Sequence, residues 1–213
     1  VEKVDVKNGS CEVMVKTKKG EETITADIVL SAVGITANIE GIGLEEVGIK
    51  TENGKLVVDE FYNTNVPGYY AIGDLLPTQA LAHVASAEGI VCVEKIAGEN
   101  PEPIDYGNIP GCTYCSPEIA SVGMTETKAK EAGYDIKVGK FPFKANGKAI
   151  ALGDEEGFVK TIFDSLTGEL IGAHMIGTDV TELIQGYSIA KNIEATEEDL
   201  FHTIFPHPTL SEM

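Results

Sequence analysis

A connector built from proline, glycine and acid, ENPEPIDYGNIPG at residues 99 to 111, divides this chain into two stretches of different pattern. Proline fixes φ and removes a backbone donor, so no helix or strand ladder runs through such a segment. A domain boundary is expected there, near residue 105. Beyond it short strands alternate with turns: CTYCS and IASVGM around Pro117, then DIKVGKFPF, KAIAL, FVKTIFD and LIGAHMIG. TETKAKEAG reads as a brief helix capped by Thr125 and stopped at Gly133. GTDVTELIQGYSIAKNI reads as an amphipathic helix, and TEEDLFHTI as another that Thr196 and Asp199 begin in capping-box fashion. Antiparallel strands followed by helices make residues 106 to 213 an α+β domain.

Ahead of the connector, VEKVDVKNGS lacks an initiator Met and starts inside a strand-like alternation, so the chain is expected to be a fragment. Residues 11 to 33 read as a β-meander: CEVMVKT, ETITA and the almost continuously apolar DIVLSAVG. In the loop that follows, Gly41, Gly43 and Gly48 tempt a dinucleotide reading. Their G-x-G-x-x-x-x-G spacing, with no strand feeding it, is not the fingerprint that chemistry needs. KLVVDE and YYAIGD are expected strands. ALAHVASAEGIVCVEKIAG is an expected helix, stopped by Gly98 and buried, because most of its faces are small or apolar.

Charge narrows the partners. With 16 basic and 34 acidic residues the net charge is -18, which argues against nucleic acid and anionic membranes as ligands. No apolar run approaches the roughly 20 residues of a membrane span. No basic segment leads into an apolar one as in a signal peptide. Four cysteines are too sparse for a secreted disulfide scaffold. An acidic cytoplasmic protein is expected.

Three short stretches carry chemistry. CTYC, residues 112 to 115, has metal-knuckle or redox spacing but sits in strand-like sequence. There, residues three apart stand roughly 10 Å apart on opposite faces, beyond the roughly 7 Å reach of a disulfide. Neither Cys11 nor Cys92 supplies a second ligand pair, so no metal site is expected. AIGD ends a strand in Gly73 and Asp74: glycine admits a close ligand, and the carboxylate accepts hydroxyl hydrogen bonds. The first turn of the helix after it offers unpaired N–H groups to an electron-rich oxygen. A plain strand-end turn would look the same.

HPTLSE closes the chain, with His207 between Pro206 and Pro208 and Glu212 five residues on. Histidine is the natural acid or base near neutrality, and a carboxylate on its far nitrogen fixes the tautomer. Five residues on a regular helix stand roughly 140° apart, so the two meet only if the stretch is partly non-helical. The two prolines favour that. By spacing alone, a histidine capping a short helix with Pro208 at its first position fits equally well.

DIVLSAVG, NTNVPGYYAIGDL followed by ALAHVASAEG, CSPEIASVGMTE and FPHPTLSE, in that order, resemble the pyridine nucleotide–disulfide oxidoreductases over essentially the whole chain, nearest to members acting on dihydrolipoamide. The resemblance implies an α+β interface (dimerisation) domain at 106–213. It is preceded by the end of an NAD-binding domain (1–36) and the returning part of an FAD-binding domain (37–105). It implies FAD carrying electrons between NAD and a redox-active disulfide. Asp74, with Gly73, would hold the flavin's ribitol; Ala80, Leu81, Ala82 and His83 would lie at the flavin ring; Gly34 would line the NAD site. His207 would take a proton from the dithiol, oriented by Glu212, at the active site of the partner in a homodimer. A 2-oxo acid dehydrogenase or glycine cleavage complex would be the larger assembly served.

The chain departs from the family in having no Cys-x-x-x-x-Cys pair and no flavin or NAD glycine fingerprint, and Ile35 follows SAVG where many relatives carry Arg. Alone it is therefore expected to be inactive. A non-catalytic dimerisation module built on 106–213 and the helix at 178–193, and a reductase of glutathione-type disulfides or metal ions, are the competing readings.

Overall fold

An Asn8–Gly9 turn, with Gly9 at φ +82°, folds β1 (Lys3–Lys7) antiparallel onto β2 (Ser10–Thr17), Lys7 opposite Ser10. A second tight turn sets β3 (Gly20–Ala26) on the other side of β2, completing the order β1-β2-β3. The structure, a computed structural model, describes all of residues 1–213. This meander lies in the first of its two compact units, Val1–Ile42. DIVLSAVG, expected as its last strand, joins no sheet: Ile28, Leu30 and Val33 are 85%, 87% and 95% exposed. A strand apolar on both faces is stable only between neighbours on both sides, and this unit supplies none.

The second unit is Gly43–Met213. Gly43 and Gly48, both left-handed, bracket the four-residue helix α1 (Leu44–Val47). These are two of the glycines whose spacing mimics a nucleotide loop. KLVVDE yields only a two-residue strand: β4 (Thr51–Glu52) pairs with β5 (Lys55–Leu56). YYAIGD yields a bridge from Tyr70 to Asn63 and then a 3-10 turn, Gly73–Leu75. The expected helix forms as α2 (Ala82–Ile96), but it is not wholly buried. Val84, Glu88 and Cys92 face inward, one helical turn apart, while Ile90, Val93 and Ile96 face out.

Past the connector, β6 (Gly111–Thr113), β7 (Glu118–Gly123), β8 (Ile136–Pro142), β9 (Phe158–Asp164) and β10 (Leu170–Gly177) form one antiparallel sheet in the order β6-β7-β10-β9-β8. The short helix α3 (Glu126–Glu131) has Thr125 as its N-cap, as its sequence indicates. KAIAL is a helix, not a strand. Asn146 accepts from the Lys148 and Ala149 amides, and Gly153 closes the end left-handed, giving α4 (Gly147–Leu152). Those caps override the β-branched look of a five-residue run.

Helix α5 (Val180–Asn192) crosses β7 and β10. Its Val180 and Ile184 meet Ala120, Val122, Val159, Ala173 and Met175 of the sheet, together with Phe143, Ala149 and Leu210. On a second cluster Ala129 of α3 meets Ile162 and Ile171. Helix α6 (Glu197–His202) carries the Thr196–Asp199 capping box. No helix is long and apolar enough to cross a membrane.

Candidate functional site

The end of the chain is fixed by apolar packing of Leu210, with Met213 against the same cluster. Leu210 sits in the core beneath α5, a burial that contributes about 2 kcal/mol. Only Leu210–Glu212 is helical, as a single 3-10 turn, and its N-cap is Thr209 rather than His207. The peptide between His207 and Pro208 is cis. Because residues 207 to 209 are not helical, the five-residue separation closes. His207 Nδ1 lies 2.9 Å from Glu212 Oε1 and 3.2 Å from Oε2.

The carboxylate is also held from behind. The Thr209 amide donates to Glu212 Oε2 at 3.0 Å, and the Thr209 hydroxyl donates to the Pro206 carbonyl at 2.7 Å. The Thr209 N–H, and next the His207 ring, hold the Glu212 carboxyl below the usual glutamate range. An ionised carboxylate only accepts, so the proton between the two residues belongs to Nδ1. The neutral ring then carries its lone pair on Nε2, and the His207 side chain is 77% exposed. An oriented base facing outward is what the pair can supply.

A second group forms around Gly73. Its φ is +72°, and a Cβ there would stand 3.1 Å from the Ala85 methyl, so the turn packs on α2 as only glycine allows. Asp74 is exposed, with its carbonyl accepting from Lys55 Nζ at 2.5 Å. Leu81, the N-cap of α2, offers no side-chain cap, so the amides of the first turn are open beside it. Ala80, Ala82 and His83 are exposed and Leu81 half-buried, and His83 Nε2 meets the Pro110 carbonyl at 3.1 Å. Gly34 belongs to the Val1–Ile42 unit and is exposed, at φ +105°.

A polyol phosphate chain and a ring carbonyl need hydroxyl acceptors, a close backbone and free amides. The Gly73–Asp74 turn and the α2 terminus supply all three, so these residues fit a flavin.

Sequence reasoning passed over what holds that turn. Glu88, 0% exposed, accepts from the Gly73 amide at 2.6 Å, from the Thr78 hydroxyl at 2.9 Å and from the Tyr106 hydroxyl at 2.8 Å. Tyr62 adds a hydroxyl contact to Tyr106 at 3.2 Å. Burial, and then the Tyr62 and Glu88 hydrogen bonds, push the Tyr106 phenol far above its usual range, so it stays a donor. The available signal was a lone acid inside an Ala-rich run, since a buried charge persists only when paired. CTYC splits between elements: Cys112 is half-buried on β6, and Cys115 is exposed in the turn beyond it, not in a strand. Burial, then Glu118 and Glu182, push the Cys112 thiol up, away from reactivity.

Comparison with known proteins agrees with this architecture. Residues 109–213 match the pyridine nucleotide-disulphide oxidoreductase dimerisation domain, and residues 1–89 match the pyridine nucleotide-disulphide oxidoreductase domain. A dihydrolipoyl dehydrogenase of Rhizobium etli is 59% identical over 100% of this chain and 44% of its own length. One of Bacillus subtilis is 49% identical over 95% of this chain and 43% of its own. Among solved structures, LpdA of Mycobacterium tuberculosis superposes with a TM-score of 0.88 at 28% identity, over 99% of this chain and 46% of that one. The Cu(II) complex of the HOCl-induced flavoprotein disulfide reductase RclA of Escherichia coli gives 0.89 at 26%, over 99% and 47%. The chain thus spans less than half the length of the relatives it matches. On two family domains and these identities, the chain belongs to the pyridine nucleotide–disulphide oxidoreductases.

Proposed function

We propose that this chain provides the acid/base pair, part of the flavin seat and the dimer interface of a dihydrolipoyl dehydrogenase. The observation that carries the reading is the His207 Nδ1–Glu212 contact at 2.9 Å with Nε2 left outward. The identity of 59% to a dihydrolipoyl dehydrogenase supports the substrate over glutathione-type disulfides.

His207 Nε2 takes the proton of the attacking thiol, and Glu212 steadies the imidazolium that results. Asp74 and the open amides of α2 hold the cofactor, while Gly34 contributes to the nicotinamide side. FAD, when bound, would supply the redox chemistry linking a dithiol to NAD. Residues 1–36, 37–105 and 106–213 serve as the NAD, FAD and interface portions. The protein works as a homodimer in which His207 serves the partner's dithiol centre, within a 2-oxo acid dehydrogenase or glycine cleavage assembly. By itself the 213-residue chain turns over no lipoamide, because none of its cysteine pairs has the Cys-x-x-x-x-Cys spacing.

The test is His207→Gln in the enzyme carrying this chain. Dihydrolipoamide oxidation falls by about 10²–10⁴, while the flavin absorbance is unchanged. Undiminished oxidation in that variant would refute the reading.

A further inference from the structure

Apolar burial is not directional. The Leu210 anchor sets the depth of the chain end but not the rotation of the residues around it. Direction comes from hydrogen bonds, and one buried side chain supplies it where it matters. Asn146, 4% exposed, donates from Nδ2 to the Thr209 carbonyl at 3.1 Å. Its Oδ1 accepts from the Lys148 amide at 2.9 Å and the Ala149 amide at 3.0 Å, which caps α4. The cap decides which way the amide faces. A flipped Asn146 would set its NH2 against two N–H groups, so Nδ2 is committed to Thr209.

Thr209 is the residue whose N–H holds Glu212 Oε2, and Glu212 holds His207 Nδ1. The remaining polar tie, Tyr187 Oη to the Met213 carbonyl at 2.8 Å, acts beyond Glu212. We infer that Asn146 is a positioning residue for the His207–Glu212 pair: it fixes Thr209, Thr209 fixes Glu212, and Glu212 selects the ring nitrogen that carries the proton. The function of this relay rests on His207 being the base proposed above, but its existence is measurable without activity.

The experiment uses the 213-residue chain with 15N-labelled histidine, with the His207 resonances assigned by their loss in His207→Gln. Asn146→Asp keeps an oxygen to cap α4 and, being acceptor-only, loses the donor to Thr209. Asn146→Ser keeps a capping oxygen on a side chain one atom shorter, which cannot cap α4 and reach Thr209 together. In both, the Nδ1-protonated share of neutral His207 falls by a factor of roughly 2 to 10, the equilibrium weight of one ordinary hydrogen bond, while circular dichroism retains the helices. Tyr187→Phe, which loosens only Met213, leaves that share unchanged. If one Asn146 variant does not fold, the other decides.

An unmoved tautomer in a folded Asn146 variant, or an equal fall in Tyr187→Phe, overturns the inference. Dithiol oxidation that survives His207→Gln overturns only the catalytic reading, so the two failures are distinguishable.

Discussion

The Glu88 carboxyl group accepts the Gly73 amide at 2.6 Å with both residues buried, so a side chain of α2 holds the turn that presents Asp74. Removing it leaves the Gly73 amide and the Thr78 hydroxyl without an acceptor and Tyr106 with only the Tyr62 hydroxyl. Glu88→Leu is expected to lower stability by about 3 kcal/mol, since stranded buried polar groups cost more than the net worth of their bonds. Glu88→Gln keeps the shape and an acceptor oxygen and is expected to cost less. Urea unfolding of the two variants checks the order; equal losses would mean that shape rather than the carboxylate matters.

The Glu212 carboxyl is depressed by the Thr209 N–H first and by His207 second. A carboxylate of this kind adds stability above its unfolded value and loses it as pH falls through the lower, folded one. In His207→Gln its titration, followed by 13C NMR of the side-chain carboxyl, is expected to rise only partway and stay below the ordinary range. A full return to the ordinary range would assign the whole shift to the imidazole.

Two glycines in the second unit are expected to respond to alanine with opposite signs. At Gly172, on the bulged side of β10, a Cβ would stand 2.1 Å from the Met124 carbonyl oxygen, which is backbone and cannot step aside. Gly172→Ala is expected to cost at least about 3 kcal/mol or to abolish folding. At Gly186, within α5, a Cβ meets nothing within 4 Å. Gly186→Ala is expected to stabilise by about 0.5–1 kcal/mol through helix propensity. Melting curves decide both, and a loss at Gly186 would mean that another surface packs on that face.

What the sequence disclosed follows from how local each signal is. Thr125, Thr196 and the short strand runs of β7, β9 and β10 bounded by turns act within a few residues, and the structure places them as their patterns indicate. KAIAL misled because Asn146 lies outside the run it caps, and five residues cannot show a helical period. YYAIGD misled because its backbone bonds turn back locally, Ala71 to Tyr62, and the Gly73 amide goes to a side chain, Glu88, fifteen residues on. His207 and Glu212 were legible as a pair only in part: Pro206 and Pro208 favour non-helical backbone, yet a helix with Pro208 at its first position fits the same spacing, and the family resemblance alone chose between them. The Asn146 tie to Thr209 crosses 63 residues and leaves no trace in the sequence.

The segment from Asp27 to Gly34 has a consequence for how the chain behaves in a tube. It displays Ile28, Leu30 and Val33 to water in a run of β-branched and apolar residues without proline, the composition that seeds cross-strand stacking between molecules. What keeps such molecules apart is the charge of -18 that each carries. That repulsion reaches about 8 Å at physiological ionic strength and about 3 Å in molar salt. Light scattering should therefore rise with added salt, and fall back when Leu30 is replaced by lysine. The acidity of this chain works as a colloidal spacer for an exposed apolar segment that joins no sheet.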